Sequence, residues 1–228
     1  MVSEVMGPLE RYRKPHDLPV NLPVFPLTEA LLLPRTRLPL TIFEPRYLAM
    51  VDDAMARTRI IGIIQPVAAD SDAGAPPAIQ AVGCAGRITS YSETDDGRLL
   101  IVLTGIARFR VVAENPGTAP YREVEADFAP FAGDLTAGLG EADVDRPMLL
   151  ETLRSYLEAR RLVADWAEVE AASTEALVNA LSALSPYPAE DKQALLEAAD
   201  LKARAEMLIA LTEMAMARAE GPHKSRLQ

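Results

Sequence analysis

With 228 residues the chain is long enough for one large domain or two small ones with real cores. Hydrophobic residues at 49% and charged residues at 25% exclude a disordered composition, and a formal net charge of -10 opposes broad binding to nucleic acid or anionic membranes. The single Cys84 cannot close an intramolecular disulfide, the N-terminus "MVSEVMGPLERYRKPHDLPV" has no signal-like apolar core, and no apolar run reaches the ~20 residues of a membrane helix, so a cytoplasmic protein is expected.

Residues 1–17 read as an N-terminal extension, and the first subdomain is expected to begin at residue 18. "VNLPVFPL" and "LPLTIF" are short apolar runs punctuated by proline, suited to sheet edges. Between them lies "EALLLPRT". Leu31, Leu32 and Leu33 cannot all point inward in an extended segment, which offers apolar surface beside Arg35; alternatively the loop tucks under the following helix. Pro45 fits the first turn of that helix, whose face of Tyr47, Leu48, Val51, Ala54 and Met55 is built to lie on a sheet. Burying Leu48 or Val51 there would stabilise by ~1.5–3 kcal/mol apiece. Glu44 and Arg46 flank the proline, and an ion pair or a helix-start cap suits them better than acid–base chemistry. Asp52 and Asp53 diverge on the helix surface and are expected in solvent.

"RIIGIIQPV" predicts a fully buried strand. "AVGCAGRITSYSETDDGRLLIVLTG" predicts a hairpin whose Asp96-Gly97 turn supplies positive φ angles. "ARFRVV" and "YREVEADF" alternate cleanly and predict an antiparallel pair. Arg108 and Arg110 could form a basic patch for phosphate. The reading preferred here sets them across from Glu123 and Glu125 as cross-strand ion pairs, worth roughly 0.2–1 kcal/mol each.

The glycine- and acid-rich residues 132–145 read as a linker between a β-rich subdomain over 18–131 and a helical subdomain over 146–220, with a tail at 221–228. In the helical half Asp145 is expected to cap a helix with Pro147 in its first turn, running through Val163. Ser173 is expected to cap a second helix with a stripe of Leu177, Ala180, Leu181 and Leu184. Pro188 begins a third and Asp200 caps a fourth. Met207, Met214 and Met216 on the last helix fit packing better than an adaptable binding face.

Reactive chemistry is poorly provided for. His16 and His223 lie near the termini, and the β-rich half contains no lysine to act as a base or Schiff-base former. There is no G-x-x-x-x-G-K-[ST] loop, no H-E-x-x-H helix and no G-x-S-x-G elbow. Cys84, without a local histidine, reads as a small core side chain. No catalytic residue, metal ligand or cofactor site is therefore assigned.

Three stretches taken in order nevertheless carry a resemblance. "LPVFPLTEALLLPRTRLPLTIFEPRYLAMV" resembles the opening of the N-terminal substrate-recognition domain of the Lon protease family. "VGCAGRITSYSETDDGRLLIVLTGIARFRV" is similar to that domain's hairpin leading into G-x-x-R-F, here Gly105, Arg108 and Phe109. "KQALLEAADLKAR" resembles its closing pattern, and the likeness runs over roughly residues 18–218. It implies an α+β fold, with an N-terminal β-rich PUA-like pseudobarrel carrying one packed helix, followed by a C-terminal α-helical bundle. The chain departs from the full-length family arrangement, which adds ATPase and serine–lysine protease domains, and is expected to be a free-standing, non-enzymatic module. Its partners would be unfolded or degron-bearing polypeptides and a Lon-type protease, in the role of an adaptor or sensor in protein quality control. The expected polypeptide-binding residues are Leu31, Leu32, Leu33 and Arg35. The motif residues Glu44, Pro45, Arg46, Tyr47, Gly105, Arg108 and Phe109 are expected to be structural. The competing reading is RNA binding through the PUA-like barrel, which would need Arg35, Arg37, Arg87, Arg108 and Arg110 to cluster. A third, a carboxylate-based hydrolase, would need converging acids in a deep cleft.

Overall fold

A computed structural model describes residues 9–28, 30–67 and 77–220. Residues 1–8 of the expected extension and the whole expected tail, with His223, lie outside the described residues. The chain divides into two compact units, Met1–Ala137 with Tyr187–Leu196, and Gly138–Pro186 with Glu197–Gln228.

The first unit is built on strands β1 (Asn21–Pro26), β2 (Arg37–Ile42), β3 (Ile60–Pro66), β4 (Ile79–Glu93), β5 (Leu99–Asn115) and β6 (Arg122–Asp127). They run in the order β2-β5-β4-β3-β1-β6, and β6 pairs again with β5. Five strands therefore close a ring, the expected pseudobarrel, and β2 is added to the outside of β5 as an edge. The 17-residue β5 makes this possible. Its first part, Leu99–Thr104, pairs with Ile42–Arg37, and its last part, Arg110–Asn115, pairs with Asp127–Glu123. Register shifts between Ala85 and Gly86, between Ile88 and Ser90, and between Val111 and Ala113 bend the strands into closure.

β3 lies between β4 and β1, and its "IIGIIQ" is buried throughout, as a β-branched run without polar alternation requires. β1 and β3 are parallel, so a crossover must join them; β2 and helix α1 (Pro45–Ala56) lie on it. α1 packs on β1 and β3, where the Phe25 and Tyr47 rings approach to 4.0 Å between centroids. Its buried residues are Tyr47, Met50, Val51 and Ala54. Met50, wholly buried, takes the place expected for Leu48 and Met55, which are only partly covered.

Three expectations about this unit are corrected. β1 is an interior strand; Pro23 is tolerated because its pairing to β3 starts only at Val24. The hairpin tip runs from Thr94 to Arg98, with Gly97 alone in the left-handed region, at φ +76°. The described part of the extension contributes core, since Tyr12 joins Leu22, Val24 and Phe109 in one buried cluster.

In the second unit α2 (Arg146–Arg160) is capped by the Asp145 carboxylate, which accepts from the Met148 amide at 3.0 Å. α2 stops short of Val163 because Arg161 turns left-handed, at φ +55°. A short helix, α3 (Trp166–Ala171), was not expected. Asp165 caps its start, and the Arg146 guanidinium donates to the carbonyls of Val169, Glu170 and Ala172 at its end. α4 (Thr174–Leu184) has the expected Ser173 cap, but buries Leu177, Val178, Asn179 and Ser182 and leaves Leu184 exposed. Polar residues belong to the buried face because Arg204 donates to Asn179 at 2.9 Å and the Ser182 hydroxyl donates to the Val178 carbonyl. α6 (Leu201–Glu220) starts at the Asp200 cap, and its Met214 is half exposed rather than packed.

α5 (Ala189–Glu197) lies almost wholly in the first unit, although it follows three helices of the second. Buried Gln193 donates to the Val82 carbonyl of β4 at 3.1 Å.

Candidate functional site

Gly105, Arg108 and Phe109 sit on β5, where the strand passes from its β2 partner to its β6 partner. Phe109 is fully buried. A side chain on Gly62 or Gly83 would meet its ring at 2.9 or 2.6 Å, so those two glycines make its socket. Arg108 is 3% exposed and is gripped by Asp134. Its Nε and Nη2 donate to Oδ2 and Oδ1, both at 2.8 Å, and its backbone N–H donates to Oδ2 at 2.9 Å. Nη1 donates to the Leu196 carbonyl of α5 at 3.0 Å, and the guanidinium stacks over the Phe131 ring. Arg108 therefore bonds across to the 3-10 turn Ala129–Leu135 rather than to Glu123, and the strand-to-strand ion pairs expected for Arg108 do not form. Arg110, exposed, faces Asp127 in the β5–β6 register, while Glu123 and Glu125 oppose Asn115 and Ala113. Sequence alternation assigned the strand pair correctly but not the partner, because Asp134 lies in a stretch with no periodic signal. Asp134 falls in the region expected to be a linker.

Gly105 has a separate role. The Leu33 carbonyl lies 2.0 Å from where a Cβ would stand, so only glycine lets residues 33–36 cross the strand here. The amide of Arg35 donates to the Gly105 carbonyl and the Gly105 amide donates to the Thr36 carbonyl, each at 2.9 Å. Pro34 and Arg35 occupy the centre of a tight turn closed by the Thr36 amide on the Leu33 carbonyl. Arg35 takes the left-handed position at φ +65°, a conformation costing about 1–2 kcal/mol for a residue with a Cβ. Its guanidinium donates to the Asp134 carbonyl at 2.7 Å, offsetting that cost.

Clamped in this way, Leu31, Leu32 and Leu33 are 4%, 1% and 0% exposed. They offer no apolar surface, so the contact role expected of them is corrected to a core role. The Leu32 side chain packs against Gly86, while Leu33 crosses Gly105. At the start of α1, Arg46 donates from Nε and Nη2 to Glu44 at 2.9 and 2.7 Å, and its guanidinium stacks on Tyr47. Asp53 accepts from the Tyr121 hydroxyl at 2.6 Å; burial first, then that bond, pushes the phenol up to about 12.

One exposed apolar surface lies around β2. Among the described residues this strand pairs only with β5, and its outward residues alternate. Pro39 stands opposite Val102, and Thr41 opposite Leu100. Leu100 is 44% exposed, and Phe43, directly after the strand, is 63% exposed. An edge of unpaired backbone groups thus adjoins a small apolar face. No alternation in the sequence distinguished this face, since "LPLTIF" reads the same whichever side is covered.

Among the described residues no group of three or more His, Cys, Asp or Glu could hold a metal ion, and no helix is long and apolar enough to cross a membrane. The arginines named for RNA binding do not form one exposed patch, since Arg108 is committed within the core.

The family model of the ATP-dependent protease La (LON) substrate-binding domain matches residues 21–213. The chain is 31% identical over 205 residues to Lon protease 2 of Myxococcus xanthus, and 28% identical over 220 residues to Lon protease of Anaeromyxobacter dehalogenans. Those alignments cover 86% and 92% of this chain but 24% and 25% of the relatives, so it spans about a quarter of their length. Among solved structures, a Lon N-terminal domain protein from Xanthomonas campestris superposes with a TM-score of 0.54 at 26% identity, covering 83% of this chain and 97% of that one. The N-terminal domain of a Mycobacterium avium complex Lon protease gives 0.63 at 21% identity, covering 85% and 98%.

Proposed function

We propose that this chain, which belongs to the Lon substrate-binding domain family, acts as a non-enzymatic module that holds unfolded or degron-bearing polypeptides. Its role is that of an adaptor or sensor in protein quality control, in the cytoplasm, with a Lon-type protease as its partner. The observation that carries the reading is the unpaired edge of β2 beside exposed Phe43 and Leu100. An extended polypeptide can add its backbone to such an edge and rest apolar side chains on the adjoining face. Pro39 removes one donor from the strand, which limits indiscriminate edge-to-edge association.

The test is a titration of a fluorescently labelled, permanently unfolded polypeptide against the wild type and a Phe43→Ser, Leu100→Ser variant. Both positions are exposed, so the variant keeps its fold. Removing two apolar contacts is expected to weaken binding at least about tenfold. Equal affinity for the two proteins would defeat the surface assignment, and no binding by either would defeat the polypeptide-holding role.

A further inference from the structure

A concave feature lies at the carbonyl end of α1. It is a cleft of about 570 Å³ whose lining includes Arg11, Arg57, Arg59 and Arg87, with Asp17 as its one carboxylate. Four guanidiniums against one carboxylate leave a local charge of 4 − 1 = +3, on a chain whose formal charge is -10. That contrast concentrates positive potential in one concave place.

The cleft is built rather than casual. Arg87 is fixed from both sides, donating from Nη1 to the Tyr12 hydroxyl at 3.0 Å and to the Thr58 carbonyl at 3.1 Å. Arg59 holds a left-handed backbone, φ +61°, between its amide bond to the Ala54 carbonyl at 2.7 Å and its carbonyl bond from the Ile88 amide at 2.8 Å. Arg11 stacks on the Tyr12 ring with its guanidinium 5.0 Å from the centroid. Asp17 already accepts from the amides of Arg13 and Lys14, which hold its carboxyl below the usual range, so it is occupied by backbone rather than by the arginines. Among the described residues no carboxylate forms an ion pair with Arg57 or Arg59, and both are exposed.

We infer that this cleft receives the acidic side chains of a bound polypeptide, so that the module selects segments carrying Asp or Glu. The inference rests on the polypeptide-holding reading above and adds a chemical preference to it. Guanidinium forks match carboxylates in bidentate geometry. A nucleic acid fits less well. The one aromatic lining the cleft, Tyr12, is buried and its face is covered by Arg11, which leaves no platform on which a base could stack.

The experiment uses the full chain and two labelled unfolded peptides of equal length, one with a run of glutamates flanked by apolar residues, the other with glutamines in their place. The variant is Arg11→Glu with Arg57→Glu, both exposed, and its unfolding curve is compared with the wild type. Binding of the glutamate peptide is expected to exceed that of the glutamine peptide and to weaken as salt shortens the ~8 Å physiological screening length. In the variant the glutamate peptide is expected to lose about tenfold or more in affinity while the glutamine peptide is unaffected. Equal binding of the two peptides by the wild type overturns the inference and leaves the polypeptide-holding reading standing. An unaltered glutamate affinity in the variant does the same. Competition by single-stranded RNA at concentrations below those of the glutamate peptide overturns it in favour of nucleic acid. Binding of neither peptide removes both readings.

Discussion

Arg108 and Asp134 form a buried ion pair with a bidentate contact, and their geometry decides how they respond to change. Two charges removed from water lose several kcal/mol of hydration each, which their mutual attraction and three hydrogen bonds recover only while both are present. Replacing Asp134 by alanine is therefore expected to cost about 3–5 kcal/mol in urea unfolding, because Arg108 keeps its charge in a closed site. Replacing both, Arg108→Met with Asp134→Leu, is expected to cost less than the single change. A double variant that loses the sum of the two singles would show that the residues do not act as a pair. The pair also shows what a motif can hide. Gly105, Arg108 and Phe109 stand within five residues of one strand yet serve three separate needs: passage of a crossing backbone, neutralisation of a buried carboxylate, and the filling of a socket left by Gly62 and Gly83.

At the scale of elements, two glycines of the same hairpin separate steric from conformational necessity. Gly105 has no unusual φ but meets the Leu33 carbonyl at 2.0 Å, whereas Gly97 has φ +76° and nothing within 4 Å. Gly105→Ala is expected to lift the 33–36 turn off β5 and to cost about 3 kcal/mol or more. Gly97→Ala should cost only about 1–2 kcal/mol for the left-handed backbone. Thermal unfolding of the two variants checks the order, and a reversed order would contradict the packing described for Gly105. The elements themselves were legible in the sequence wherever period and capping agreed. The buried β3, the β4–β5 hairpin and the caps at Asp145, Ser173 and Asp200 all follow from local signals. The candidate surface was not legible, for a physical reason. Leu31, Leu32 and Leu33 are apolar enough to be core or contact, and a glycine 72 residues further on (105 − 33) determines which. The buried face of α4 was misplaced for a related cause, since Asn179 is satisfied by an arginine on another helix.

Across the whole molecule, the chain leaves the sheet-bearing unit after Ala137, returns for Tyr187–Leu196 and leaves again. Hydrogen exchange should follow that division rather than chain order. Amides of β3 are expected to be the slowest, those of the edge strand β2 faster, and those of α5 to open together with β4 and β5. If α5 exchanged together with α4 and α6 instead, its assignment to the first unit would be untenable. The return of α5 also bears on how the protein comes into being. Arg108 is separated from its Leu196 acceptor by 88 residues, and Val82 from Gln193 by 111. A ribosome adding ~5–20 residues per second needs roughly 4–18 s to cover the first gap. Over that interval the nascent strand carries Arg108 with Asp134 as its available partner, and α2, α3 and α4 are synthesised before α5 arrives to complete the earlier unit. Birth order and assembly order are thus nested, one unit being interrupted by the manufacture of the other.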